Sequence, residues 1–185
     1  MKSFTDLVKQ RQSTRKYQSA GVPREIIDQC IEASRLAPSA SNSQPWKFIV
    51  VDDQELVPHV AGNTWDPVIR FNKFTENAPA FIVITLEPAK TITKIGKTVK
   101  QKEWPLIDIG IAAEHFCLKA TDLGLGTCML GWYNEKKIKK LLNIPKKREI
   151  ALLISIGYPP EDYPIREKKR KSFDEITTYN TYSNK

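Results

Sequence analysis

The sequence predicts an α+β fold in three layers, and three observations carry that expectation. Apolar residues recur at helical spacing in two long stretches, 23–37 and 105–123. Two short apolar runs, Ala80–Leu86 and Glu149–Ile156, read as strands, the second of them buried. Helices and strands mix along the chain without strict β-α-β alternation, which favours α+β layers over a doubly wound sheet.

Each element has a local reason. A first helix is expected from Ser3 to Arg11, with Ser3 as cap and Asp6 as the return arm of a capping box. Gly21-Val22-Pro23 turns the chain, and Pro23 suits the first position of a second helix. Ile26, Ile27, Cys30, Ile31 and Ser34 give that helix one core-facing stripe, and Ala37-Pro38 stops it. A polar segment then leads to a strand, Trp46–Val51, and a short helix around Gln54–Val60. The stretch 63–77 carries no clear period. Leu106, Ile109, Ala113, Phe116, Cys117, Ala120 and Leu123 share a face of the helix Pro105–Leu123, with Gly124 at its carboxyl cap. Thr127–Leu130 reads as a short strand, and Asn134 caps a basic helix reaching about Leu142. After Gly157-Tyr158-Pro159-Pro160 the chain is too poor in apolar residues to form a core of its own.

At 185 residues the chain has the size of one domain, 1–185, with 160–185 as a carboxyl-terminal arm. No apolar run is long enough for a membrane helix, and the charged amino terminus lacks the apolar centre of a secretory signal, so the cytoplasm is expected. Cys30, Cys117 and Cys128 are odd in number and far apart, which suggests buried reduced thiols. The net charge of +8 asks for an anionic partner. Basic residues gather in 90–102, 136–140, 146–148 and 166–171. Aromatics do not interleave with these runs, and no zinc finger, RNP motif or basic zipper is present. Nucleic acid is therefore not the expected partner, and phosphorylated small molecules fit better.

Four segments carry chemistry. Arg11-Gln12-Ser13-Thr14-Arg15 sets two guanidinium groups around a hydroxyl where a helix gives way to extended chain. That cluster suits a phosphate, although on this segment alone a solvated helix end is the better explanation. In the loop 37–46, Ser39, Asn42 and Gln44 lie between Pro38 and Pro45. The two amides offer the alternating donors and acceptors that a flavin ring edge demands; turn chemistry is the alternative. Gly124–Trp132 is not a dinucleotide fingerprint, because its glycine spacing fails, but Gly131 can let backbone approach a flat ligand. Arg166–Lys171, five basic residues in six, is either a solvated tail or a second phosphate-binding arm.

Absences matter too. The two histidines, His59 and His115, have no metal-ligand spacing, and there is no G-x-S-x-G or local Cys–His signature. No metal site and no protein acid–base set is expected, which points to chemistry carried by a cofactor.

Together the segments resemble the FMN-dependent nitroreductase family over nearly the whole chain. R-Q-S-T-R-K-Y is similar to the family's R-R-S-x-R-x-[FY], with Gln12 in place of the second arginine. A-P-S-A-S-N-S-Q-P-W resembles its second signature, and D-I-G-I-A-A-E-H-F-C-L-K-A-T-D-L-G-L-G-T-C its central helix, with Glu114 where glutamine is common. G-Y-P followed by K-K-R-K-S-F-D-E-I looks like its closing segment.

The resemblance implies an α/β/α fold around a mostly antiparallel sheet and a swapped homodimer, its arm packing on the partner, with two FMN sites at the interface. It assigns the phosphate and ribityl chain to Arg11, Ser13 and Arg15, joined by Lys168 and Arg170. It brings Ser39 and Asn42 from the loop, supplied by the other subunit, and places the Leu130-Gly131 backbone near flavin N5. Asn72 or Lys73 would touch the pyrimidine edge. NADH or NADPH would deliver hydride, and a nitroaromatic or quinone would then collect it in a ping-pong cycle. A non-redox module that binds anions or nucleic acid is the competing expectation.

Overall fold

The computed structural model describes residues 3–68, 70–88 and 103–183; the basic segment 90–102 lies outside the described residues. Four strands, β1 (Trp46–Val51), β2 (Ala80–Leu86), β3 (Gly126–Leu130) and β4 (Glu149–Gly157), form one sheet in the order β1-β2-β4-β3. Every neighbouring pair is antiparallel. The strand bounds agree with the expected ones to within a residue.

The two faces of the sheet bury different side chains, as the strand period of two requires. Ala80, Ile82, Ile84, Ile154 and Ile156 point to one face, where α2 (Arg24–Arg35) and α4 (Trp104–Asp122) cover them with Ile27, Cys30, Ile109, Ala113, Phe116 and Ala120. Phe81, Val83, Leu153, Cys128 and Leu130 point to the other face, covered by α3 (Leu56–Ala61) and α5 (Glu135–Leu141) through Val60 and Ile138. This is the expected α/β/α sandwich. All three cysteines are free and buried, and burial pushes the Cys30 and Cys117 thiols up to about 12.

The helix ends show where local rules compete. In α1 (Phe4–Gln10) Ser3 does cap, accepting from the Asp6 N–H at 3.1 Å, but the Asp6 carboxylate takes up the cap hydroxyl itself at 2.7 Å. Pro23 stands at the N-cap of α2 rather than in its first turn, because its ψ of 140° is still extended. The helix α3 begins at Leu56, later than expected, because the Asp53 carboxylate holds the N–H groups of Glu55 and Leu56 at 2.9 and 3.0 Å in a turn. In α4 the buried stripe enters through Pro105 and Asp108. Leu106 lies about 100° round the helix from Pro105, so it is exposed rather than part of the core face. Gly124 follows α4 with a φ of +80°, and Asn134 caps α5 by accepting from the Lys137 N–H. The tail ends in α6 (Phe173–Ile176), with a complete capping box between Ser172 and Glu175.

Tyr17 ties the amino-terminal segment to the sheet. Its hydroxyl donates to Thr14 O at 2.9 Å and lies 2.8 Å from Ser155 Oγ, and burial pushes its pKa far up. Its ring packs beside Gly157, where an added Cβ would stand 2.6 Å from Pro79 Cδ and 2.9 Å from Tyr17 Cδ1. Gly157→Ala is therefore expected to destabilise the fold by about 1–3 kcal/mol through overpacking. Urea unfolding measures this, and an unchanged midpoint would mean that Pro79 and Tyr17 yield freely.

Candidate functional site

The site begins with one backbone rung. Ser13 and Thr127 form an isolated parallel bridge, in which the Thr14 N–H donates to Thr127 O at 2.8 Å. The bridge lays segment 11–15 on the outer edge of β3. It also explains Gly126, because a Cβ there would fall 2.5 Å from Thr14 Oγ1.

Onto this segment the carboxyl-terminal arm folds back. Gln12 Nε2 donates to Pro164 O at 2.9 Å, and Gln12 Oε1 accepts from the Arg166 N–H at 3.1 Å. The Arg166 guanidinium donates to Ser13 O, and Lys168 Nζ to Arg11 O. The Arg15 N–H donates to the Tyr163 hydroxyl at 3.0 Å. Together segment and arm enclose a cavity of ≈ 370 Å³, where six cationic residues (Arg11, Arg15, Arg166, Lys168, Lys169 and Arg170) face one carboxylate, Glu167. Gln12 and Ser13 complete its wall.

Such a cavity fits a phosphate for two physical reasons. Partial burial, then the charges of Arg11 and Arg170, hold the Lys168 ammonium below the usual lysine value. Arg11 Nε is buried without a hydrogen-bond acceptor; Glu114 Oε1 is 3.1 Å away, an ion-pair distance that does not satisfy the N–H direction. An anion in the cavity would give the Arg11 guanidinium a partner beside Glu114. Arg15 also lies over the Phe74 ring at 5.9 Å, which fixes its head beside the site.

The other expected residues lie elsewhere in the chain. Ser39, Asn42 and Gln44 form a tight knot in which Ser41, Asn42 and Gln44 all have positive φ, between 47° and 54°. Such backbone is costly outside glycine and needs outside support. Asp108, buried in α4, supplies it by accepting from the Ala40 N–H through both carboxylate oxygens at 3.1 Å, while Ser39 Oγ accepts from the Gln44 N–H at 3.0 Å. The knot does not line the cationic cavity. Leu130 ends β3 facing the core, and Gly131 beyond it has open space around its Cα.

Past Gly131 the chain enters an aromatic cleft of ≈ 340 Å³, walled by Trp65, Trp132 and Tyr133 with Asn63 and Asn134. Asn72 is buried and staples the two walls, donating to Thr64 O and to Trp132 O at 3.2 Å each. Lys73 lies over the Trp65 ring at 5.4 Å, and Phe71 meets Trp132 edge-on at 6.3 Å. Trp65 Nε1 is buried without a hydrogen-bond partner.

His115 Nδ1 lies 3.3 Å from Ala33 O, linking α4 to α2. Among the described residues no group of His, Cys, Asp and Glu is placed to hold a metal, and no helix is long and apolar enough to cross a membrane.

Sequence reasoning missed several supports. Asp108 signals itself only as an acid on an apolar stripe. The Glu114 partner of Arg11 was visible only as a departure from the glutamine common in the resembling family. Tyr163 leaves no local pattern, and Arg166 showed only as part of the basic run 166–171, since their partners are about 150 positions away.

Fold and site together define the class, that of flavin-dependent oxidoreductases. The chain belongs to the nitroreductase family, whose model matches residues 8–158. It is 32% identical over 171 residues to an Archaeoglobus fulgidus protein provisionally named NADH dehydrogenase/NAD(P)H nitroreductase, covering 90% of this chain and 91% of that one. A nitroreductase family protein from Clostridium novyi NT superposes with a TM-score of 0.76 at 33% identity, covering 86% of this chain and 87% of its own. An FMN-dependent nitroreductase from Clostridium difficile R20291 does so with a TM-score of 0.71 at 30% identity, covering 97% and 100%.

The depressed Lys168 value has a direction in pH. Because the folded value is the lower one, the unfolded chain binds more protons in the window just below the ordinary lysine value of about 10.4. The Lys168 charge therefore opposes folding below its folded value, and this cost lifts as pH rises through the window. Inorganic phosphate is expected to raise the Lys168 midpoint, followed by NMR of the labelled ammonium, and Arg170→Gln should raise it too. An ordinary midpoint without phosphate would show that these cations do not sense each other.

Proposed function

We propose that this chain is an FMN-dependent oxidoreductase that works as a homodimer and passes hydride from NADH or NADPH to a planar acceptor such as a nitroaromatic or quinone. One observation carries the reading: the cationic cavity sits at one end of the free edge of β3, and Gly131 sits just past the other end. Thr127 and Gly131 are four positions apart, about 13 Å of extended chain. That is the length scale from a flavin's phosphate to its reactive ring.

Arg11, Ser13, Arg15, Lys168 and Arg170 would hold the phosphate end. Bound FMN supplies a centre that accepts and releases hydride at N5. Thr127 faces the outer edge of β3, and the strand period carries that orientation to Met129 and on toward Gly131, whose backbone would meet the ring. The aromatic cleft beyond would seat nicotinamide and acceptor in turn. Trp132 and Tyr133 would stack on a flat ring, and the Trp65 indole N–H would donate to a nitro or carbonyl oxygen. Asn72 would act on the ring only through the two carbonyls that it holds. His59 and His115 would take no part in proton transfer.

The surface supports assembly into a dimer. Phe4 and Val8 on α1, Leu106 and Ile107 on α4, and Phe173 and Ile176 on α6 are all exposed, apolar side chains that a second chain would cover. Covering by a second chain would bring the 39–44 knot, which is supported from α4, to the partner's flavin. Static scattering is expected to give the mass of two chains at micromolar concentration; one chain with flavin still bound would refute the dimer.

The purified protein is expected to be yellow and to bleach with NADH or NADPH, which a basic anion-binding module would not do. Arg15→Ala should weaken FMN by ten- to a hundredfold, about 1.5–3 kcal/mol for a charged hydrogen bond, and leave riboflavin far less affected. Equal weakening of both, read by flavin fluorescence titration, would make Arg15 a support of the fold instead.

A further inference from the structure

Gln12 replaces a cation in the pattern that this segment resembles, and its contacts give the replacement a purpose. Its carboxamide donates to Pro164 O and accepts from the Arg166 N–H, the carbonyl before Ile165 and the N–H after it. That is how a residue in a parallel ladder pairs with its neighbour, so one side chain stands in for a strand. The same oxygen also lies 3.4 Å from Arg166 Nε. A carboxamide carries donor and acceptor together, whereas an arginine carries donors alone.

The arm needs such a hold. It brings Arg166, Lys168, Lys169 and Arg170 against Arg11 and Arg15, so like charges push it away until an anion arrives. Its other bonds to segment 11–15 come from Arg166, Lys168 and the Tyr163 hydroxyl. Those from Arg166 and Lys168 use cations whose charge the site itself repels. The Gln12 clamp is neutral and is unaffected by that repulsion.

We infer that Gln12 is the latch holding the arm 163–170 over the cationic cavity, and that it sets phosphate affinity through the arm rather than by touching the phosphate. Gln12 is thus a positioning residue, and its departure from arginine lets the arm close over two cations instead of three. The inference rests on the phosphate reading of the cavity, but closure of the arm can be measured without it.

Two measurements test it on the full-length chain. The first is trypsin cleavage after residues 166–171. Gln12→Ala should speed it on the order of tenfold, the effect of losing about two neutral hydrogen bonds. Gln12→Arg, which keeps reach and donors but loses the acceptor and adds a cation, should speed it comparably. An arm that stays protected in both variants would overturn the latch. The second is a double-mutant cycle read by titration with FMN and with riboflavin. Gln12→Ala should weaken FMN on the order of tenfold, leave riboflavin nearly unchanged, and add nothing in a Lys168→Gln/Arg170→Gln background. Undiminished weakening in that background, or equal weakening of riboflavin, would mean that Gln12 holds the cofactor or the fold directly. If the unaltered chain binds neither flavin, the flavin reading fails, and the latch stands or falls on the cleavage rates alone.

Discussion

The bridge between Ser13 and Thr127 fixes where every other part of the site can be. A single N–H···O bond at 2.8 Å, from Thr14 to Thr127, lays a loop carrying two arginines along the outer edge of β3. The loop cannot slide, because Thr14 packs against the missing Cβ of Gly126 and the Tyr17 hydroxyl is held between Thr14 and Ser155. Once the loop is fixed, the arm has one surface to meet, and the cavity follows from their contact.

The molecule divides its labour between neutral and charged contacts. Hydrogen bonds of Gln12, Thr14, Tyr17, Asn72 and Asp108 set the positions of backbone, while six cationic residues line the cavity, Arg166 and Lys168 among them also donating to the carbonyls of segment 11–15. Such preorganisation places the cost of crowding charges on the folding of the chain, so that a bound anion meets donors already oriented. The Arg11–Glu114 pair is the exception, one carboxylate tempering one of the six cations. Exposed ion pairs elsewhere, such as Arg24 with Asp52, contribute little by comparison.

Much of the fold was legible because its signals are local. Ala80–Leu86 and Trp46–Val51 are apolar runs bounded by turns, and the stripe Ile109–Ala113–Phe116–Ala120 repeats at helical spacing. Errors fell where one local rule displaced another: Asp53 delayed α3, and Pro23 preceded its helix instead of opening it. Of the site, the arginines and the basic tail were visible as composition, their meeting only through the family resemblance, and the Gln12 clamp between them not at all. Gln12 and Arg166 are separated by 154 positions, and nothing in either segment names the other. Stretch 63–77 stayed unreadable because its order comes from buried polar contacts, Thr64 to Thr75 at 2.7 Å and Asn72 to two carbonyls, which leave no hydrophobic period.

The free edge of β3 raises a question of solubility. Open strand edges are templates for pairing with another sheet, and β3 meets its own chain there through one isolated bridge. The arm that closes the cavity also sets lysine and arginine beside segment 11–15, which lies on this edge, so an approaching sheet would meet several cations there. The charges that would hold a phosphate would thus also oppose pairing of this edge with another sheet, and a variant neutralised at the cavity would lose that opposition together with its anion site.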